Sequence, residues 1–162
     1  MNRLITPLIL VSILVAPLTA WSQEPEKTFS TKYTTIRFVN DKDMDDFLWR
    51  LGGQRLDFTN ETELVSNRID RIVERVQAIL DMRPVGFHVV VGLQRELPGQ
   101  YKAAYYDPRK GTIYVAVDYA TDGVLAHEIA HAVINRYFAS PPPSKVQEIL
   151  TQYVDRYLWS DY

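Results

Sequence analysis

The sequence of 162 residues contains no cysteine. This absence excludes a disulfide framework, a metal site with sulfur ligands and a lipid-modified cysteine behind a signal peptide. Any bound metal would have to be held by histidine, aspartate or glutamate side chains. A domain of roughly this size can bury a self-supporting hydrophobic core without cross-links, so their absence is compatible with a stable fold.

A strong excess of charge of either sign is also missing. The chain has 18 lysines and arginines against 20 aspartates and glutamates, which gives a net charge of −2. This balance provides no positive field for nucleic acid or for an acidic membrane surface, so we expect neither partner. A hydrophobic content of 46% and a charged content of 23% are ordinary for a globular protein, and we predict a single domain.

Long hydrophobic runs are absent except at the N terminus. There, Arg3 precedes an apolar run over residues 4–20, and Ala20 and Ser22 supply small residues at the −3 and −1 positions of a cleavage site. This layout is typical of a signal peptide over residues 1–22. It predicts an exported protein, periplasmic or secreted, with no stable membrane span after cleavage. An uncleaved anchor is the alternative, although so short a run with two prolines is marginal for spanning a bilayer.

Hydrophobic periodicity predicts an α+β fold for the rest of the chain. Residues 23–30 are polar and are interpreted as a flexible lead-in, so that the domain extends over residues 31–162. Alternating patterns predict strands over residues 31–39, 87–93, 101–106 and 112–118, of which the last two form a hairpin. Steps of three and four predict helices over residues 41–51, 61–82, 122–138 and 145–158. We expect Asp122 to cap the third helix, and Ser144 with Gln147 to form a capping box for the last.

Histidine is scarce, and its placement is informative. Two of the three histidines lie in the sequence His127-Glu128-Ile129-Ala130-His131. On the helix predicted there, the two imidazoles lie one turn apart on the same face and can bind one zinc ion, with Glu128 beside them as a general base for a metal-bound water. A chance match on an amphipathic helix is the alternative. The third, His88, is more typical of a packed, hydrogen-bonded histidine than of a ligand.

A catalytic zinc usually has three protein ligands and a water, so a third ligand is required. No histidine follows His131, which excludes the long metzincin pattern and leaves the carboxylates of Glu148, Asp155 and Asp161. Glu148 lies one turn into the last helix, which can double back after the proline loop and bring it to the metal. Asp155 lies two turns further on and is better placed as a hydrogen-bond partner of a ligand histidine.

The order His127-Glu128-x-x-His131, followed after sixteen residues by Glu148, resembles the gluzincin zinc metallopeptidases of the thermolysin clan. Residues 146–154 are similar to the Asn-Glu-Gly-x-Ala-x-Tyr segment of small peptidase-MA-like domains. The resemblance implies a minimal zincin-like peptidase domain over residues 31–162. Such a domain has a small mixed or antiparallel sheet with an edge hairpin, a long helix, a zinc-site helix and a glutamate helix.

The same resemblance implies specific roles. His127, His131 and Glu148 would bind Zn²⁺, and Glu128 would activate the water. A peptide or protein substrate would lie along the strand at residues 112–118 as an added strand, which makes Tyr114 and Ala116 candidate substrate-binding residues. Tyr153 is a candidate for steadying the oxyanion, with a packed aromatic as the alternative.

The leading hypothesis is therefore an exported zinc-dependent metallopeptidase. A non-catalytic binding module that retains the zincin fold and its metal is the second reading, and a metal-free structural protein is the third. The retained Glu128 favours the first over the second, because zinc binding alone does not require it. The substrate, the cleavage specificity and the oligomeric state do not follow from the sequence.

Overall fold

The computed structural model describes residues 25–53, 55–99, 101 and 103–160. Within them the fold is α+β, as predicted, with four helices and a mixed sheet of five strands. In chain order the elements are β1 Lys27–Ser30, β2 Thr34–Phe38, α1 Asp41–Arg50, α2 Thr62–Leu80, β3 Val89–Gln94, β4 Ala104–Asp107, β5 Thr112–Ala116, a single 3₁₀ turn Val117–Tyr119, α3 Asp122–Tyr137 and α4 Ser144–Tyr157. The signal peptide predicted for residues 1–22 lies outside the described residues.

The sheet has the strand order β1-β2-β3-β5-β4. The three central strands β2, β3 and β5 run parallel, and the edge strands β1 and β4 each pair antiparallel with their neighbours. The predicted hairpin is confirmed, because Asp107 pairs with Thr112 and Ala104 pairs with Val115. Its outer strand is β4, and β5 is bonded on both sides.

One prediction for the N-terminal part was wrong. The predicted flexible lead-in, residues 23–30, is in its second half the edge strand β1, in which Lys27 pairs with Phe38 and Ser30 pairs with Thr35. Phe29 anchors this strand by packing edge-on against Phe58 at a ring-centroid distance of 6.4 Å. A four-residue strand with one apolar side chain carries too short an alternation to be read from the sequence, and its stability comes from pairing.

The core lies between the sheet and the helices. The long helix α2 has an apolar stripe at steps of three and four that is fully buried, and this burial explains why the segment is helical. The stripe comprises Val65, Ile69, Ile72, Val73 and Val76. It packs with the inward residues of β3 and β5 and with α3 in a single hydrophobic cluster. α2 ends at Leu80, and the capping residue Asp81 has a left-handed backbone with φ 51°.

The caps of the last two helices differ from those predicted. α3 is capped by Thr121, whose hydroxyl accepts a hydrogen bond from the Val124 N–H at 3.1 Å, so Asp122 is the first helical residue instead. α4 follows Pro143, and no side chain caps it. Gln147 does not close a capping box, because its amide is engaged with α3 and the proline loop. Across the described part of the chain, no helix is both long enough and apolar enough to cross a membrane.

Candidate metal centre

The burial of α3 decides where its polar residues lie. Leu125, Ala126, Ile129, Ala130 and Val133 are all at most 1% exposed and fix the helix against α2 and the sheet. The remaining stripe, which carries the two histidines, is turned towards α4 and the edge strand β4. The His127 side chain is 26% exposed and that of His131 is 16% exposed, so both are accessible from the cleft.

α4 runs antiparallel to α3 and brings Glu148 between the two imidazoles. One carboxylate oxygen of Glu148 lies 3.3 Å from His131 Nε2, and the other lies 3.7 Å from His127 Nε2. One ligand atom from each of the three residues lies within 4.8 Å of the others. A tetrahedral ion with bonds of ~2.1 Å separates its ligand atoms by about 3.4 Å, so these donors fit a single metal ion.

Both histidines are oriented from behind by residues of α4. The Nδ1–H of His127 donates to Asp155 Oδ2 at 2.9 Å, and that of His131 donates to Gln147 Oε1 at 3.3 Å. These contacts hold each ring with its Nε2 lone pair towards the open side, as metal-binding histidines require. Gln147 is itself fixed, because its oxygen accepts from Asn135 Nδ2 at 2.9 Å and its Nε2 donates to the Pro142 carbonyl at 2.8 Å.

The environment of these groups sets their protonation. Burial lowers the pKa of His131, which favours the neutral imidazole that a metal needs. Burial raises the pKa of Glu128, and the neighbouring His127 and the backbone N–H of Tyr106 offset part of this effect. Glu128 is thus a largely buried carboxylate beside the ligand group. It contributes no ligand atom to that group.

A cleft runs along the ligand group between β4 and α4. One pocket of about 390 Å³ lies on the His131 side, and a second of about 310 Å³ lies on the His127 side. The two share His127, Glu128 and Ala104 and therefore form one continuous cleft. The smaller pocket is bounded by small or apolar groups of Ala103, Ala104, Gly123 and Val124.

The edge strand β4 turns main-chain groups that are not bonded to β5 towards this cleft. The Ala116 N–H donates to the Ala103 carbonyl, which makes this residue pair a bonded one in the ladder between β4 and β5. By the alternation of an antiparallel ladder, the main-chain groups of Ala104 and Tyr106 then point away from β5. The hydrogen bond from the Tyr106 N–H to Glu128 agrees with this direction.

Two predicted substrate-binding residues do not lie at a free strand edge. Tyr114 and Ala116 lie on β5, which pairs with β3 on one side and β4 on the other and has no free edge for a peptide. Ala116 is buried, and the Tyr114 ring stacks on Tyr105 at 5.0 Å. The strand that lines the cleft is β4, in which the main-chain groups of Ala104 and Tyr106 are not bonded to β5.

The structure does not bring Tyr153 to the ligand group. It follows Glu148 by five residues, which places it about 140° around the helix. Its side chain is half exposed, and its ring lies 4.6 Å from that of Tyr157. The tyrosines that line the cleft are instead Tyr101, Tyr105 and Tyr106. His88 is not part of the ligand group either, and its Nε2 lies 2.9 Å from Thr35 Oγ1 on β2.

Comparisons with known proteins give no relative: no family model, no curated protein and no solved structure matches the chain. The candidate metal centre therefore rests on this chain's own side chains alone. His127, His131 and Glu148 form a group that could hold a metal ion.

Proposed function

We propose that the protein is an exported zinc-dependent metallopeptidase with a zincin-like domain. The observation that carries the proposal is the convergence of His127, His131 and Glu148. A fourth group, Glu128, lies beside them in the cleft and is not one of the ligands. Three protein ligands leave one position open, which is the arrangement of catalytic zinc sites, whereas structural zinc sites are closed by four. Export is proposed from the signal-peptide pattern alone.

The donor set favours zinc over other common metals. Two imidazole nitrogens and one carboxylate oxygen suit Zn²⁺, whereas Ca²⁺ and Mg²⁺ prefer sites made entirely of oxygen ligands. When bound, zinc would supply a Lewis acid that polarises a carbonyl and lowers the pKa of water. The hydrogen bonds from His127 to Asp155 and from His131 to Gln147 would increase the basicity of the ligand nitrogens.

The chain's own residues would carry the proton transfers of peptide hydrolysis. Glu128 lies within the cleft, takes a proton from the attacking water and passes it to the leaving amine. Its raised pKa makes Glu128 a stronger base than an ordinary carboxylate. The main-chain groups of Ala104 and the carbonyl of Tyr106 would bind the peptide or protein substrate as an additional strand, while the Tyr106 N–H remains bonded to Glu128.

The experiment compares Glu128→Gln with the parent protein. We expect Glu128→Gln to retain one zinc per chain by elemental analysis and to lose cleavage of a mixed peptide library by about 10²- to 10⁴-fold, because the general base is removed. Glu63→Gln changes an exposed carboxylate in the first turn of α2 and is the matched control. A Glu128→Gln variant as active as the parent would remove Glu128 from the mechanism.

A non-catalytic binding module is the second candidate. It is favoured by the open side of the cleft, where the Glu148 side chain is 50% exposed, and by the remote position of Tyr153. This candidate predicts stoichiometric zinc in the parent protein with no cleavage of any library peptide. It also predicts that library peptides bind equally well to the parent and to Glu128→Gln.

A further inference from the structure

A second cavity of about 580 Å³ lies apart from the metal centre, and no residue that lines it also lines the cleft. Its walls come from α2, from the segment after α1, from the start of α3 and from Trp159 near the end of the described chain. The volume is within the range of small-molecule sites.

Two charged side chains in this cavity have atoms without partners. Arg68 Nε and Asp122 Oδ1 are both fully removed from solvent, and neither makes a hydrogen bond within the described part of the chain. The two side chains carry opposite charges, and the Arg68 charge lowers the pKa of Asp122 while burial raises it more strongly. Neither of these two atoms is reached from the cavity, so a bound ligand would contact the other polar atoms of Arg68 and Asp122, two residues that line it.

The backbone makes room for this arrangement. The Arg68 guanidinium lies so close to Gly52 that a Cβ there would overlap it, and Gly52 has a φ of +91° that other residues rarely adopt. Arg71 adds a second positive charge to the same wall, and Leu56 and Ile72 with the Trp159 ring supply apolar surface. The cavity thus presents two cations, one anion and an apolar wall.

We propose that this cavity binds a free α-amino acid with an apolar side chain. The ligand carboxylate would accept from Arg68 and Arg71, its ammonium would donate to Asp122, and its side chain would pack against Leu56, Ile72 and Trp159. A water molecule would fill only a small part of the volume. A simple carboxylate would leave Asp122 without a donor.

Trp159 provides a local readout. We would titrate zinc-loaded protein labelled with 5-fluorotryptophan with leucine and follow the Trp159 resonance by ¹⁹F NMR, with Trp49 as the internal reference outside the cavity. Leucine should give a saturable shift of Trp159. Glycine, leucinamide and 4-methylpentanoate, which lack the side chain, the carboxylate and the ammonium respectively, should bind at least tenfold more weakly. Chelation of the metal by leucine would not reproduce this pattern at Trp159.

The variants Arg68→Gln and Asp122→Asn should each weaken leucine binding at least tenfold, whereas Arg83→Gln, an exposed change outside the cavity, should leave it unchanged. If circular dichroism shows that a variant is unfolded, the ligand series on the parent protein decides whether the proposal holds. The proposal is overturned if leucine gives no saturable shift, or if both variants bind leucine as well as the parent. It is also overturned if 4-methylpentanoate binds as tightly as leucine, since the cavity would then take simple carboxylates.

Discussion

Glu128 is the residue at which burial and the proposed chemistry act in opposite directions. Its carboxylate is largely removed from water, which disfavours the charged form that a general base requires. The motif around it could be recognised from spacing alone, because two histidines four apart on a helix share a face. The hydrogen bond from the Tyr106 backbone to Glu128 could not be predicted, since it depends on the packing of β4 against α3.

This conflict predicts that replacing Glu128 with glutamine stabilises the metal-free protein, by an amount that depends on pH. The folded-state pKa of Glu128 is raised, so its ionisation penalises folding increasingly as the pH rises from the unfolded-state pKa to the folded-state pKa. Metal-free Glu128→Gln should therefore have a higher Tm than the metal-free parent at pH 7. The difference in Tm should shrink towards zero as the pH falls below 4.5, the ordinary pKa of a glutamate side chain. Thermal unfolding across this range checks it, and a Tm difference independent of pH would contradict it.

Gln147 is the site residue that the sequence did not reveal. Its position one residue before Glu148 was compatible with a capping box, and only the antiparallel packing of α4 on α3 shows that it contacts His131 and Asn135. The structure does not bring Tyr153 to the ligand group for a related reason. The direction of a side chain on α4 depends on its angular position around the helix, and not on its distance in sequence from Glu148. The predicted ligand residues, by contrast, follow from two short patterns on adjacent helices.

We expect Gln147→Ala to weaken zinc binding by about 10- to 100-fold, because the His131 ring loses the acceptor that orients it. The measurement is zinc affinity in competition with a chelator of known strength. Gln152→Ala changes an exposed glutamine of the same helix and should leave the affinity unchanged. Equal affinities for the parent and Gln147→Ala would show that Gln147 does not orient the ligand.

At the scale of secondary-structure elements, the pairing of the hairpin decides which strand is exposed. The sequence identified both strands, but their order depends on the pairing of Val91 with Ile113 across a long stretch of chain. That pairing places β5 inside the sheet and leaves β4 at the edge of the cleft. The first turn of α3 lies opposite, where Gly123 and Val124 bound the pocket on the His127 side.

Gly123→Leu should narrow this pocket without disturbing the helix. A Cβ at Gly123 would meet nothing nearer than Thr121 Oγ1 at 3.9 Å, and its φ is not in the left-handed region. Leucine is also a better helix former than glycine. We expect zinc content to be unchanged, and kcat/KM to fall at least tenfold for peptides with a large apolar residue beside the cleaved bond, with less effect on alanine-containing peptides.

Gly123→Ala is the matched control, because it adds one methyl group and should change kcat/KM far less. A uniform loss across all peptides, or no loss for any of them, would show that the pocket beside His127 does not contact substrate side chains.

At the scale of the whole molecule, the metal would join α3, which is part of the main core, to α4, which contributes little to it. The hydrophobic cluster extends through α1, α2, α3 and the sheet, whereas α4 buries only Thr151 and Val154. The α+β class and the hairpin followed from periodicity. The strand order did not, because it depends on pairing between distant segments, and β1 did not, because it is too short to show an alternation.

Removal of zinc should therefore destabilise the protein without unfolding it at room temperature. Preferential binding to the folded state stabilises it by roughly 4 kcal/mol when free zinc is at 1,000 times its Kd. We expect a chelator to lower the Tm by several degrees and to leave the far-ultraviolet circular dichroism largely unchanged at 25 °C. As a control, the parent and His131→Gln should have the same Tm in the presence of chelator. An identical Tm of the parent with and without zinc would contradict a metal link between α3 and α4.

The zinc K-edge X-ray absorption spectrum of the purified protein, combined with its metal content, tests the metal centre most directly. We predict one zinc per chain bound by two imidazoles and further oxygen ligands, with bonds of about 2.0–2.1 Å. The spectrum should persist in Glu128→Gln and be lost or altered in Glu148→Ala. A parent protein that binds no stoichiometric zinc, or a spectrum without imidazole scattering, would contradict the account.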